Sequence, residues 1–168
     1  MLRPFLTQDI TWVYEVSQDT AMHRYVALPS PYEVEHAAYF VRRVAQAGWT
    51  GGQRTEFLVA DAATGQRLGR VGLGRYPHGV AEIGYWVDPT VRTRGVATEA
   101  VRAICRWAFT TLTTVELIEW RAEVGNVPSR RVAEKAGFRI EATLRQRLLH
   151  RGVRVDAWVG SLLSTELA

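Results

Sequence analysis

Apolar positions follow two different periods along the chain, and the change between them separates a helical N-terminal part from a strand-rich remainder. Ile10, Val13, Tyr14 and Val16 recur at helical spacing behind a cap drawn from Thr7, Gln8 and Asp9. A further helical stretch carries Met22, Tyr25 and Val26 until Pro29 and Pro31 break it. Val34, Ala37, Ala38, Phe40, Val41, Val44 and Ala45 then predict a helix over 32–47, closed by Gly48. The period next falls to two. A strand is predicted at 56–61, a turn at 63–65, a partner strand at 67–73, a turn at 74–79, and a third strand at 80–87 that Asp88-Pro89 ends. Beyond Gly95 an apolar stripe of Ala100, Val101, Ile104, Trp107 and Ala108 marks a helix over 97–109. A strand at 117–124, a helix at 128–136 stopped by Gly137, and two long antiparallel strands around Arg151-Gly152 complete the chain. With a first short strand, this order predicts an α/β (α+β) fold: one mixed, mostly antiparallel sheet with helices on both faces.

Length adds that one domain spans residues 1–168, since 168 residues with 47% apolar content suffice for a single core without disulfides or a structural metal. The lone Cys105 excludes an internal disulfide framework and any CxxC pair, which points to a reducing compartment. The first residues are interrupted too soon by Gln8 and Asp9 for a signal sequence, and no run approaches the roughly 18 apolar residues of a membrane span. A cytoplasmic protein with no membrane partner is the expectation. The net charge of +4 rests on 20 arginines and one lysine, Lys135. Arginine forks suit phosphates and carboxylates, although a GC-rich genome explains the same bias. No block of like charge and no aromatic-basic motif supports a nucleic-acid partner.

Local chemistry concentrates between residues 85 and 100. A strand ends, a short loop carrying Arg92, Arg94 and Gly95 follows, and a helix begins on the small residues Val96, Ala97 and Thr98. Such a helix start leaves several N–H groups without intrahelical partners beside the positive end of the dipole, which favours an anion. A P-loop fails because the only lysine is at 135, and no GxGxxG is present. The reversed spacing Gly69, Gly72, Gly74 inside a strand reads as room for a bend or a close neighbour. His23, His36, His78 and His150 are scattered without ligand spacing, so no metal is expected.

Arg92-Thr93-Arg94-Gly95-Val96-Ala97 matches Q/R-x-x-G-x-G/A, and Asn126 to Phe138 reads N-x-x-S-x-x-x-x-E-K-x-G-F. Together with the strand at 83–87 and the C-terminal strand at 156–166, these resemble the GNAT superfamily of N-acetyltransferases, in its ribosomal-protein-alanine (RimJ/RimL-like) branch. The resemblance covers most of residues 54–166. It implies acetyl-CoA as cosubstrate and direct attack by a primary amine, with the pyrophosphate held by Arg92, Arg94, Gly95, Val96, Ala97 and Thr98. It also implies pantetheine contacts from the main chain of Trp86 and Val87 and from Asn126 and Ser129, with Arg130 and Arg131 near the ribose phosphate.

Catalytic expectations follow from that reaction. Many family members carry a tyrosine acid before the E-K pair, where this chain has Ala133, so Ser129 is either a substitute acid or a hydroxyl that holds coenzyme A. Glu82, just ahead of the 83–85 strand, is the candidate base, its plain alternative being a solvated strand residue paired with an arginine. Asn126 also suits a helix cap. Cys105 reads as core, and Trp49, among glycines, is the one tryptophan placed on an acceptor loop. The acceptor amine is a protein N-terminus or a small molecule such as a polyamine or antibiotic. A non-catalytic acyl-CoA-binding module and a homodimer through exposed C-terminal strands remain open.

Overall fold

The computed structural model describes residues 1–75 and 77–166, and only the backbone of Thr50 and Gly51. The turn expected at 74–79 therefore includes one residue, Tyr76, outside the described residues. The elements run β1 (Leu2–Pro4), α1 (Ile10–Val16), α2 (Thr20–Tyr25), α3 (Val34–Tyr39), α4 (Ala47–Gly51), β2 (Arg54–Ala60), β3 (Arg67–Arg75), β4 (Val80–Val87), α5 (Val96–Thr111), β5 (Leu117–Glu123), α6 (Val127–Ala136), β6 (Arg139–His150) and β7 (Val153–Leu163). One seven-stranded sheet has the order β1-β2-β3-β4-β5-β7-β6, antiparallel except between β4 and β5. Among the described residues no helix is long and apolar enough to cross a membrane.

The single helix expected at 32–47 is compound. Its middle, Phe40–Gln46, is a π-helical stretch between α3 and α4, and the end falls at Gly52 (φ 68°) instead of Gly48. Gly48 has another duty: a Cβ there would lie 3.1 Å from the Arg54 carbonyl, so its bare Cα lets the helix pass β2. The strand expected through Glu166 ends at Leu163, where a 3₁₀ turn, Ser164–Glu166, begins.

Each sheet face carries one apolar cluster. On one face, Val71, Leu73, Ile83, Ile118 and Trp120 pack against Val101, Ile104, Cys105 and Ala108 of α5 and Ala133 of α6. On the other, Leu58 and Ala60 meet Val13 of α1, Ala37 of α3 and Val41. That second cluster covers only the β1–β2 end, so the centre of its face is left to polar residues.

Asp9 fastens the N-terminal segment. Its buried carboxylate receives Arg3 at 2.7 and 2.9 Å, Arg67 Nε at 2.7 Å and the Leu6 N–H at 2.8 Å. Burial pushes its pKa up, but the two guanidiniums and the amide outweigh this and hold it at about 2. A depressed carboxyl stabilises the fold above its unfolded value near 4, and that contribution disappears as pH falls through about 2. Asp9→Asn, which mimics the protonated acid, is expected to lose about 2 kcal/mol at pH 7. In urea titrations its deficit against the parent should close at pH 2; an equal deficit at both pH values would contradict this assignment.

Candidate active site at the fork between β4 and β5

The two parallel strands part company half-way. Their pairing runs from Val80↔Leu117 to Ile83↔Trp120 and stops, although β4 continues to Val87 and β5 to Glu123. β4 stays paired with β3 as far as Gly69↔Val87, and β5 with β7 as far as Glu123↔Ala157. The sheet therefore forks into a β3/β4 prong and a β5/β7 prong. The Gly79 carbonyl accepts from Leu117 across the pair, while Asp88 N–H donates to Leu68 on the opposite side. Strand alternation then turns the main-chain groups of Tyr85 and Val87 into the gap and those of Trp86 toward β3. From β5, Arg121 and Glu123 face the gap, since Val124 N–H bonds Asp156 on the far side. Of the two residues expected to offer main-chain groups, Val87 thus faces the gap and Trp86 faces β3, while Tyr85 also faces the gap. Two facing rows of peptide groups without strand partners match an extended, amide-bearing arm.

At the mouth of the β4 prong, Gly95 caps α5 with φ 82°, and no side chain caps that end. The first helical bond is Glu99 N–H to the Gly95 carbonyl, so the N–H groups of Val96, Ala97 and Thr98 have no partner within the helix. Nothing lies within 4 Å of a Cβ added at Gly95. The requirement for glycine there is conformational. Gly95→Ala is expected to cost about 1–2 kcal/mol of left-handed strain, with Gly95→Asn milder; urea unfolding of both variants checks this.

The arginines divide. Arg94 and Arg131 are exposed beside the two helix starts. Arg92 instead clasps Asp19, the N-cap of α2, with both terminal nitrogens, and this ion pair holds the Asp19 carboxyl below its usual range. Arg130 pairs with Glu134 at 2.8 Å and lies over Trp158. The Arg92 partner lies 73 residues away, whereas Arg130 pairs one helical turn along α6, at a spacing that the sequence itself displays.

Asn126 caps α6, its Oδ1 accepting from Ser129 N–H at 3.3 Å. The Ser129 hydroxyl accepts from Trp120 Nε1 and donates to Tyr85 Oη, each at 3.1 Å, and Tyr85 Oη donates on to the Ser129 carbonyl at 2.8 Å. Burial pushes the Tyr85 phenol well above its ordinary pKa. This chain of donors pins α6 to β4 across the fork. Tyr85 escaped the sequence reading because its partner lies 44 residues away.

On the opposite face lies a charged floor. Strand register aligns Arg54 and Glu56 of β2 with Gly74 and Gly72 of β3, and these with Glu82 and Gly84 of β4, while Glu82 aligns with Glu119 of β5. Glu56 is fully buried; Arg70 grips both its oxygens and Arg54 Nε reaches Oε1 at 3.0 Å. Gly72 makes room for this pair, because a Cβ there would stand 2.1 Å from Glu56 Oε2. Glu82, about 30% exposed, lies 3.5 Å from Arg121 Nη1, whose Nη2 holds Glu119. A small cavity over Gly72, Gly74 and Gly84 brings Arg54, Arg70 and Glu82 to one wall.

Two other expectations resolve into packing. Trp49 donates to the Glu56 carbonyl and stacks edge-on against Phe57 at 4.9 Å, so it belongs to the wall of the core and not to an acceptor loop. Cys105 is buried, with its pKa pushed up to about 12 by burial, as fits a core thiol. Among the described residues no group of three His, Cys, Asp or Glu could hold a metal ion.

Comparison with known proteins agrees with this geometry. The family model described as an acetyltransferase (GNAT) domain matches residues 1–139. The chain is 26% identical to the uncharacterized N-acetyltransferase p20 of Bacillus licheniformis, covering 99% of this chain and 94% of that one. Among solved structures, Mycobacterium smegmatis RimJ in complex with CoA-disulfide aligns with a TM-score of 0.86 at 23% identity, over 99% and 82% of the two chains. A spermidine N-acetyltransferase from Vibrio cholerae, in complex with CoA and spermine, aligns at 0.82 with 20% identity, over 99% and 96%. A forked sheet beside an uncapped glycine-led helix, in a chain that this family model matches over most of its length, identifies the protein as a member of the GNAT acetyltransferase family, an acetyl-CoA-dependent N-acetyltransferase.

Proposed function

We propose that the acceptor is the α-amine of a protein or peptide N-terminus. The observation that carries this reading is the charge balance of the floor beneath the fork. Its three carboxylates, Glu56, Glu82 and Glu119, are matched by three arginines, Arg54, Arg70 and Arg121. Such a floor offers no net negative field for a polyamine, whose several cations would need uncompensated carboxylates. The RimJ structure and the spermidine enzyme have nearly equal folds to this one, so fold likeness favours neither acceptor.

In this reading Glu82 takes the proton from the attacking amine, directly or through water, and Arg121 fixes its carboxylate. A base of this kind suits an α-amine, with pKa near 7.7–8.0, far better than a lysine near 10.4. The main-chain groups of Tyr85 and Val87 hold the pantetheine arm, and an N–H among them polarises the thioester carbonyl. The α5 start from Gly95 to Thr98, with Arg94, receives the pyrophosphate, and Arg131 the ribose phosphate. Ser129 acts as a holding group with Asn126, because its hydroxyl is already committed as a donor to the Tyr85 oxygen. A cytoplasmic setting fits the single buried thiol.

A panel of acceptors tests the proposal by release of free CoA thiol. Peptides with a free N-terminal Ala or Ser are expected to exceed spermidine, and lysine peptides with a blocked N-terminus, by about 100-fold in kcat/KM, the order that a site matched to one amine and not another supplies. Spermidine turning over as fast as the peptides would overturn it.

A further inference from the structure

Outside the fork and its floor, a cavity of about 310 Å³ is lined by His23 and Arg24 of α2, Glu123 at the end of β5, His150, Arg151 and Val155. It lies where the C-terminal end of α2 meets the turn between β6 and β7. Its one carboxylate is fully engaged: Glu123 Oε1 accepts from Arg24 and Oε2 lies against His150 Nδ1, both at 2.8 Å. These contacts hold the Glu123 carboxyl below its ordinary pKa, Arg24 contributing most. Arg151 is different. Its Nη2 donates to the His23 carbonyl at 2.8 Å, and among the described residues it has no carboxylate partner. A guanidinium has five N–H donors in a fixed fork, so most of this one's capacity is uncommitted. With Arg24 and Glu123 cancelling, the cavity retains one full positive charge and two imidazoles.

Position links this cavity to the acceptor. Glu123 stands four residues along β5 from Glu119, the partner of Glu82 in the strand register. At about 3.3 Å per residue the cavity is therefore about 13 Å from the proposed base. An extended peptide with its α-amine at Glu82 covers about 7 Å by its third residue, and an acidic side chain supplies the rest. We infer that the cavity between α2 and the β6–β7 turn binds a carboxylate of the acceptor, selecting N-termini with an acidic residue at the third or fourth position, with Arg151 as the principal contact. This rests on the α-amine reading, and the experiment separates the two.

The full-length protein, saturated with CoA, is titrated calorimetrically with N-acetylated Ala-Ala-Glu-Glu amide and Ala-Ala-Gln-Gln amide, products that cannot be acetylated again. The acidic peptide is expected to bind about tenfold tighter, the size of a charge-assisted hydrogen bond, and Arg151→Gln should bring the pair to within about twofold. The same peptides with free α-amines should show a parallel fall in the acid-to-amide ratio of kcat/KM. Arg151 sits in an exposed turn, and an unchanged melting temperature shows that the variant folds. Equal binding of the two blocked peptides by the parent, or a preference that Arg151→Gln leaves intact, overturns the inference. Discrimination between blocked peptides without any CoA release from free ones overturns the α-amine reading alone. A final arm compares CoA with 3′-dephospho-CoA: if Arg151→Gln abolishes a preference for CoA, the anion is the cosubstrate's phosphate and the inference falls.

Discussion

Glu82→Gln is expected to lower kcat/KM for a free N-terminal peptide by about 10²- to 10⁴-fold, the usual contribution of a positioned general base. The amide keeps the size of the carboxylate and an oxygen for Arg121 to hold, so the floor should survive and the melting temperature should stay within a degree or two. The loss should shrink as pH rises through the acceptor's own pKa, because more of the amine then arrives neutral and less depends on the base. Binding of CoA, measured separately, should be unaffected, since Glu82 faces the floor and not the α5 start. Full activity in Glu82→Gln across the pH range would remove Glu82 from the chemistry and leave it as a partner of Arg121.

The second large effect is on stability. Glu56→Gln removes the charge that compensates Arg70, whose side chain is only 12% exposed, and leaves a guanidinium inside the sheet without its counter-ion. Breaking a buried pair from one side costs about 3–5 kcal/mol. With a urea slope of about 1–3 kcal/mol/M, the unfolding midpoint should fall by more than about 1 M. Gly72→Ala approaches the same pair from β3 and forces its Cβ onto Glu56 Oε2 and the Arg70 guanidinium. The two substitutions disturb one contact, so the double variant should lose less than the sum of the singles. A midpoint for Glu56→Gln that stays within about 0.3 M of the parent, less than about 1 kcal/mol at such slopes, would show that the pair contributes little.

What the chain discloses in one dimension depends on whether partners are neighbours in sequence. The loop from Arg92 to Thr98 and the turn from Asn126 to Ser129 are contiguous, so their glycine, caps and small residues are visible as motifs, and both helices start one residue ahead of where the pattern places them. Element types in the sheet followed from the period of two. The floor was hidden, because Glu56, Arg70, Glu82 and Arg121 come from four strands and meet only through register. Of the glycines at 69, 72 and 74, read as room for a bend or a close neighbour, Gly72 is the one that makes space for the Glu56 carboxylate. The ion pair of Arg92 was hidden for a related reason: its partner, Asp19, is 73 residues away, and an arginine beside a phosphate-type loop looks the same whether its fork is free or clasped. The π-helical stretch at Phe40–Gln46 had no signal in a pattern that any helix would satisfy.

One consequence of α2 reaches beyond its few residues. It is tied to the loop after β4 through Asp19 and Arg92, and to the β5/β7 side through Arg24 with Glu123, Tyr25 Oη with the Gly125 carbonyl, and Arg151 with the His23 carbonyl. The helix is thus a strut between the two prongs, and it closes the fork into a ring. Two of its end fittings are ion pairs at partly exposed sites, and two are hydrogen bonds to main-chain carbonyls. The span of the gap is accordingly set in part by polar ties at the surface and not by the apolar core alone.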